Sequence, residues 1–148
     1  MRRSPAIRQL VLVSLAFAFV ACDSTDSESG DLGDLVLSLA SDGGSIGLQS
    51  SEIYPCSNFT LSLDVEATSD RVEIEVLGVN ETDVCATALG PATGTAEFAD
   101  GANRDAYAVQ IEQDGAVDRY ETQCESDSCE LVPVGRTTFT RLADDQGF

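Results

Sequence analysis

Histidine, lysine and tryptophan are all absent from the 148-residue chain, so every basic side chain is an arginine. A catalytic serine or cysteine normally needs an adjacent base, most often histidine. Pairs of carboxylates can hydrolyse glycosides, but a chain with 26 acidic residues places some pair at a suitable distance by chance. We therefore expect no enzymatic activity, no catalytic residue and no cofactor.

Positive charge is scarce as well, because only five arginines accompany the 26 acidic residues after residue 21. Such a surface repels the phosphates of nucleic acids, which excludes nucleic acid as a partner. The composition resembles that of proteins from salt-loving bacteria, where dissolved salt screens the repulsion between carboxylates. A chain of this length is expected to form one domain with its own core.

Calcium binding is the alternative interpretation of the acidic residues, because carboxylate oxygens are good calcium ligands. Neither of the two densest groups has the spacing of an EF-hand loop, and charge-rich segments are usually solvated, so we expect no metal site. The two groups are Asp23, Asp26, Glu28, Asp31 and Asp34, and Glu125, Asp127 and Glu130.

Long apolar runs are also lacking. The longest extends from Leu10 to Val20, broken only by Ser14, and as a helix it would cover about 16 Å, roughly half of the hydrocarbon core of a bilayer. A basic head precedes this run and the small Ala21 follows it. The arrangement is typical of a signal peptide, here residues 1–21.

The four residues at the end of this segment, Phe19-Val20-Ala21-Cys22, resemble the lipobox of bacterial lipoproteins. The resemblance implies that the Cys22 thiol is joined to diacylglycerol, that the peptide is cut just before Cys22, and that the new amine is acylated. The mature protein would then be lipid-anchored to a bacterial membrane, facing the periplasm or the cell surface. The alternative is a secretory peptide cut at Ala21, which leaves Cys22 free or disulfide-bonded.

Residues 22–34 are mostly acidic and small, and Leu32 is their only large apolar side chain. Such a segment cannot bury enough apolar surface to fold, so we expect a disordered acidic linker about 20 Å long as a coil. The folded domain is then predicted at residues 35–148.

Apolar and polar residues alternate from Leu35 onward, as in strands with one solvated face. The alternation is strongest in 59–65 and 72–76, which flank Thr68-Ser69-Asp70 and predict a β-hairpin. A second hairpin is predicted where Asp114-Gly115 follows the alternation of 107–111, since Asp-Gly favours a tight turn. Weaker strand candidates are 35–40, 46–49, 95–98, 131–134 and 138–142.

These short strands, without a convincing helical pattern, predict an all-β fold, an antiparallel sandwich of about seven strands. Within it, Asp105-Ala106-Tyr107-Ala108-Val109 is similar to the strand that carries the tyrosine corner in immunoglobulin-like domains. The resemblance implies an immunoglobulin-like arrangement of the strands.

The number of cysteines is odd, at five. If Cys22 carries lipid, four remain in an exported chain, and two disulfides are the default arrangement. The first hairpin brings Cys56 within loop reach of Cys85, while Cys124 and Cys129 flank a four-residue turn. The predicted pairs are therefore Cys56–Cys85 and Cys124–Cys129. A zinc site with four thiolates is the alternative, which usually requires closely spaced cysteine pairs.

The leading hypothesis for function is a non-enzymatic lipoprotein that presents a disulfide-linked β domain at the cell envelope, in a structural or partner-binding role. The alternative is a secreted or anchored binding module for a protein partner, such as a hydrolase that it inhibits, or for a carbohydrate. Its candidate loops are Ser41–Cys56 and Ala86–Thr95, because binding residues are often on loops.

The burial expected for one candidate loop and for the tyrosines limits the surface that could bind a ligand. Residues 86–94 carry no charge, and we expect them to be buried rather than to form a contact patch. Tyr54, Tyr107 and Tyr120 are expected in the core, which leaves few aromatic side chains on the surface to stack against a carbohydrate.

Overall fold

The computed structural model describes residues 32–98, 106–125 and 128–143, and within these ranges it contains strands and no helix. The all-β class predicted from the sequence is therefore confirmed. The strands are β1 (Leu35–Leu39), β2 (Ser45–Ser50), β3 (Thr60–Ala67), β4 (Arg71–Asn80), β5 (Thr93–Glu97), β6 (Ala108–Gln113), β7 (Ala116–Glu125), β8 (Ser128–Pro133) and β9 (Thr140–Leu142).

Hydrogen bonds join the nine strands into one mixed sheet in the order β8-β7-β6-β4-β3-β5-β2-β1-β9. The pairs β4–β6, β3–β5 and β1–β9 run parallel, and the other neighbours run antiparallel. Two contacts between strands far apart in this order show that the sheet curves strongly. β1 contacts β8, and a side chain of β7 accepts hydrogen bonds from the start of β9. The domain is therefore nearly barrel-shaped.

The core lies on the inner face of the curved sheet, where alternate residues of each strand meet. In register, Val72 and Ile74 of β4 face Val109 and Ile111 of β6, and all four side chains are buried. Burying an aliphatic side chain of this size contributes about 1.5–3 kcal/mol. The other large side chains in this core include Leu35, Leu37, Ile46, Leu48, Phe59, Leu61, Val76, Phe98, Tyr107, Tyr120 and Leu131.

Both hairpins predicted from the sequence are present. β3 and β4 are joined by residues 68–70, where the Thr68 amide donates a 2.8 Å hydrogen bond to the Arg71 carbonyl. β6 and β7 are joined by Asp114 and Gly115, whose φ angles of 51° and 78° are both positive, as a two-residue Asp-Gly turn requires. The five weaker strand candidates correspond to β1, β2, β5, β8 and β9.

The strand arrangement differs from the predicted immunoglobulin-like sandwich of about seven antiparallel strands. Nine strands are present in the described residues, they form one hydrogen-bonded sheet, and three neighbouring pairs are parallel. Alternation shows which residues of a strand share a face. It carries no information about which strands become neighbours, so the parallel pairing of β4 with β6 could not be predicted.

Tyr107 also makes a different contact from that of a tyrosine corner, whose hydroxyl bonds to the backbone a few residues upstream. Its hydroxyl donates a 2.7 Å hydrogen bond to the carbonyl of Gly43, 64 residues away in sequence. Burial, with a smaller effect from the charge of Asp42, raises the pKa of Tyr107 to about 12. The hydroxyl therefore remains a donor, and it fastens the β1–β2 turn to the start of β6.

The strand directions give the sheet two ends, which we name after Leu32 and Gly43. The Leu32 end holds the start of the described chain and the connections 51–59, 81–92, 114–115 and 134–139. The Gly43 end holds the connections 40–44 and 68–70 and the paired residues Glu125 of β7 and Ser128 of β8.

The folded domain includes residues that the sequence placed in the linker. Leu32 is buried in the core, with only 4% of its surface exposed. The carbonyl of Asp34 accepts a 2.7 Å hydrogen bond from the Ser51 amide. The domain therefore extends to Leu32, three residues before the predicted boundary at Leu35.

Candidate functional site

Two loops, the connections 51–59 and 81–92, meet at the Leu32 end of the sheet. Tyr54 and Gly90 exchange backbone hydrogen bonds of 2.8 and 3.1 Å, and a disulfide joins Cys56 to Cys85, whose Cα atoms lie 5.1 Å apart. These residues belong to, or directly adjoin, the two loops that the sequence singled out. The structure thus brings the end of the first candidate loop against the second, while the start of the first loop, at residues 41–44, lies at the Gly43 end.

Asn58 holds the second loop in place from the first. Its side-chain amide donates to the Thr82 hydroxyl (2.9 Å) and to the Val84 carbonyl (2.7 Å). Its side-chain oxygen accepts a 3.0 Å hydrogen bond from the Ala86 amide. Sequence reasoning gave Asn58 no such role, because nothing in the local pattern shows that it lies beside residues 24 to 28 positions later.

Three aliphatic side chains on these loops are exposed to solvent. Ile53 is 60% exposed, Val84 78% and Leu89 76%, and we call these three residues the aliphatic loop surface. Cys56 and Phe59, which belong to the same loop as Ile53, are buried in the core. An exposed side chain of this kind costs little by itself, but several on neighbouring loops are typical of a contact surface.

The expectation that residues 86–94 are buried is correct for one part of the segment and wrong for another. Gly90 and Ala92 are buried, whereas residues 86–89 are all exposed. The backbone hydrogen bonds of Gly90 with Tyr54 hold the segment against the domain at that point. The four residues before it project beyond this attachment, next to the exposed Cys85.

Carboxylates surround the aliphatic loop surface. Glu52 adjoins Ile53, and Glu81 and Asp83 precede Val84, and all three are exposed. The aliphatic loop surface is therefore apolar with an acidic rim, which disfavours contact with anionic partners.

A second acidic region lies on the outer face of the sheet. Asp64 of β3 faces Glu75 of β4, which in turn faces Glu112 of β6, and Glu66 faces Glu73 in the next row. Together they line a shallow depression of about 260 Å³. Like charges on facing residues of adjacent strands destabilise a sheet, so this acidic face has an energetic cost at low salt.

The residues proposed as calcium ligands are not assembled into a site in the described part of the chain. Asp34 lies at the Leu32 end, and Glu125 and Glu130 lie beside the Cys124–Cys129 disulfide at the other end. Among the described residues, no three side chains of His, Cys, Asp or Glu are grouped so that they could hold a metal ion. The remaining calcium candidates lie outside the described residues, and these are Asp23, Asp26, Glu28, Asp31 and Asp127. Cys22 also lies outside the described residues.

The second disulfide joins the facing residues Cys124 of β7 and Cys129 of β8, whose Cα atoms are 4.0 Å apart. It closes the hairpin at the Gly43 end. A Cβ atom at Gly43 would lie 3.0 Å from the Cys129 sulfur, and φ is +68° there. Glycine therefore lets the β1–β2 turn pack against this disulfide.

Asp118 is the buried acidic residue that sequence reasoning missed. Only 2% of its surface is exposed, and its carboxylate accepts hydrogen bonds from the backbone amides and hydroxyls of Thr138 and Thr140 and from the amide of Phe139, at 2.6 to 3.1 Å. Burial raises its pKa, but these hydrogen bonds outweigh burial and lower it to about 2. Its spacing from Tyr120 could have indicated that it is buried, because Asp118, Tyr120 and Thr122 are alternate residues on the same face of β7.

The contacts of Asp118 are those of a structural group. Its partners belong to the connection between β8 and β9, which the carboxylate holds against β7. Solvent does not reach it, and its acceptor sites are occupied by donors of the protein, so it has no access to a substrate. The aliphatic loop surface is the better candidate for function.

No protein-family model, curated protein or solved structure matches the chain. In the described part of the chain there is also no helix with the length and apolar character needed to cross a bilayer. The functional interpretation therefore depends on the motif at Cys22 and on the surface of the β domain.

Proposed function

We propose that the protein is a bacterial envelope lipoprotein, attached through lipid on Cys22, whose β domain has a structural or binding role and no enzymatic one. The observation that carries the proposal is the motif Phe19-Val20-Ala21-Cys22 directly after an apolar run. The disulfides of the domain support it, because they use the other four cysteines and leave Cys22 available for lipid.

Lipid on Cys22 accounts for how a strongly acidic domain stays at a membrane. Each buried methylene contributes about 0.8 kcal/mol, and stable attachment takes more than one acyl chain. Cys22 precedes Leu32 by ten positions, a segment that spans roughly 17 Å as a flexible coil and at most about 35 Å when extended. The domain would remain within this distance of the bilayer surface.

Labelling with radioactive palmitate in a bacterial host tests the attachment. The wild-type chain is expected to incorporate label and to sediment with membranes. The Cys22→Ser variant is expected to lose the label and the sedimentation. Label on both proteins, or on neither, would refute lipid attachment at Cys22.

Protein binding by the aliphatic loop surface is a second candidate function, favoured by the exposure of Ile53, Val84 and Leu89. It is tested by comparing proteins captured by wild type, Leu89→Ser and Leu142→Ser, since Leu142 is exposed on the edge strand β9, outside the aliphatic loop surface. A specific partner would be lost with Leu89→Ser alone. Carbohydrate binding has less support, because Tyr107 and Tyr120 are buried as expected, Tyr54 is half-buried, and Phe59 and Phe98 are buried as well.

A further inference from the structure

Exposed aliphatic side chains are unevenly distributed between the two ends of the sheet. Ile53, Val84, Leu89 and Val134, all more than half exposed, lie on connections at the Leu32 end. Among the described residues, the other exposed large aliphatic side chains are Leu77 (55%) and Leu142 (37%), which lie within β4 and β9 rather than on a connection. Apolar contact by this domain would therefore be made mainly through the Leu32 end.

The chain that leads to Cys22 leaves the domain at this same end. Gly33 has a φ of +59°, and a Cβ atom there would collide with the hydroxyl of Ser51. The Asp34 carbonyl accepts a hydrogen bond from the Ser51 amide. Glycine thus lets the chain pass closely over Ser51 and Glu52, immediately beside Ile53.

We propose that the aliphatic loop surface rests on the lipid bilayer to which Cys22 is attached, an inference that depends on the lipid anchor proposed above. The described chain begins at Leu32, beside the loops, so the direction toward Cys22 starts on the same side of the domain as Ile53. The linker between Cys22 and Leu32 places the Leu32 end about 17 Å from the attachment point as a coil and at most about 35 Å from it. The loops are then held at the bilayer by tethering, so that even weak individual contacts are populated.

The charges around the loops determine which lipids fit. Glu52, Glu81 and Asp83 rim the surface, and Arg136, also at this end, is a cation on another connection. Carboxylates at the bilayer surface are repelled by anionic headgroups. The surface therefore fits a zwitterionic headgroup layer, with the aliphatic side chains entering its upper part.

The orientation can be measured with tryptophan fluorescence, because the chain contains no tryptophan. Leu89→Trp places one fluorophore on the aliphatic loop surface, and Ser69→Trp, in the exposed connection 68–70, is the control at the Gly43 end. Both proteins are produced with their lipid and incorporated into phosphatidylcholine vesicles, with and without brominated acyl chains. Mass spectrometry of each protein establishes its lipid, and vesicle flotation establishes its attachment.

The proposal predicts a blue shift and several-fold stronger quenching by brominated lipid for Trp at position 89 than at position 69. Val84→Trp is expected to give the same shift and quenching as Leu89→Trp. Agreement between the two variants would show that the result does not come from a local change that one tryptophan causes in its loop. Equal quenching at both ends in lipidated, vesicle-bound protein would overturn the orientation and leave the anchor intact. Protein without lipid that fails to float would overturn both. Protection of position 89 from aqueous iodide without quenching by brominated lipid would overturn bilayer contact and indicate contact with a second copy of this protein instead.

Discussion

The hydroxyl of Thr140 donates a 2.6 Å hydrogen bond to the carboxylate of Asp118, and both residues are buried. Because this hydroxyl has one hydrogen, the 2.6 Å contact between the Tyr120 and Thr140 hydroxyls must have Tyr120 as the donor. Burial, together with the charge of Asp118, raises the pKa of Tyr120, so the phenol keeps the proton that it donates to Thr140. The chain of hydrogen bonds joins β7 to the start of β9.

Replacing the Asp118 carboxylate by an amide should destabilise the domain strongly. In Asp118→Asn, an NH₂ group would face donors of Thr138 or Thr140, so that buried donors lose their acceptor. We expect a loss of about 3 kcal/mol in the free energy of unfolding, measured by urea denaturation. Asp114→Asn, in the exposed turn, is the control and should change stability by less than about 0.5 kcal/mol. Equal stability of the two variants would contradict the structural role of Asp118.

Lowering the pH should remove the contribution of the ionised Asp118 carboxylate to the free energy of unfolding. Its pKa is lowered from 3.8 to about 2 in the folded state, so the unfolded chain binds the proton more tightly. The contribution, about 2 kcal/mol from the size of this shift, is present above pH 4 and is lost as the pH falls toward 2. Urea midpoints between pH 6 and pH 2 should show this loss in wild type relative to Asp118→Asn. Parallel pH profiles for the two proteins would argue against a lowered pKa.

The acidic face predicts a salt-dependent stability. Glu75 lies between Asp64 and Glu112 in register, so Glu75→Gln removes two like-charge contacts. At low ionic strength the variant should be about 0.5 kcal/mol more stable than wild type, and the difference should vanish in 1 M NaCl, where screening acts within about 3 Å. Glu125→Gln, whose register partner is the uncharged Ser128, is the control. A gain at Glu75 that persists in 1 M NaCl would contradict the electrostatic explanation.

The two disulfides should contribute unequally to stability. Cys56 and Cys85 are 29 positions apart, and Cys124 and Cys129 only five. Loop-closure entropy predicts losses of about 3.6 and about 2.2 kcal/mol when each pair is replaced by alanines. Denaturation of the two double variants measures this difference, and peptide mapping of the unreduced wild type checks the pairing. Peptides that join Cys56 or Cys85 to the other pair would contradict the structure.

The strands were predictable from the sequence because their inner faces are regular. Val72, Ile74 and Val76 alternate with polar residues in the chain and are buried in the structure. The neighbour of this strand was not predictable. Val72 of β4 pairs with Val109 of β6, although β5 lies between these two strands in the sequence. Local alternation specifies faces, whereas the order of strands is set by packing of the whole core.

The candidate surface and the buried acid were harder to predict than the strands. Leu89 lies in an uncharged segment that is typical of buried loops, and its exposure follows from the attachment of Gly90 to Tyr54. Asp118 is one of 26 acidic residues, and its burial depends on donors from residues 138–140, far along the chain. Both cases required contacts between segments distant in sequence.

The central claim is that Cys22 carries lipid, and tandem mass spectrometry of the mature N-terminus tests it most directly. The account predicts a chain that begins at Cys22, with a diacylglyceryl group on its thiol and an acyl group on its amine. A mature chain that begins at Cys22 without lipid, or at any other residue, would contradict it.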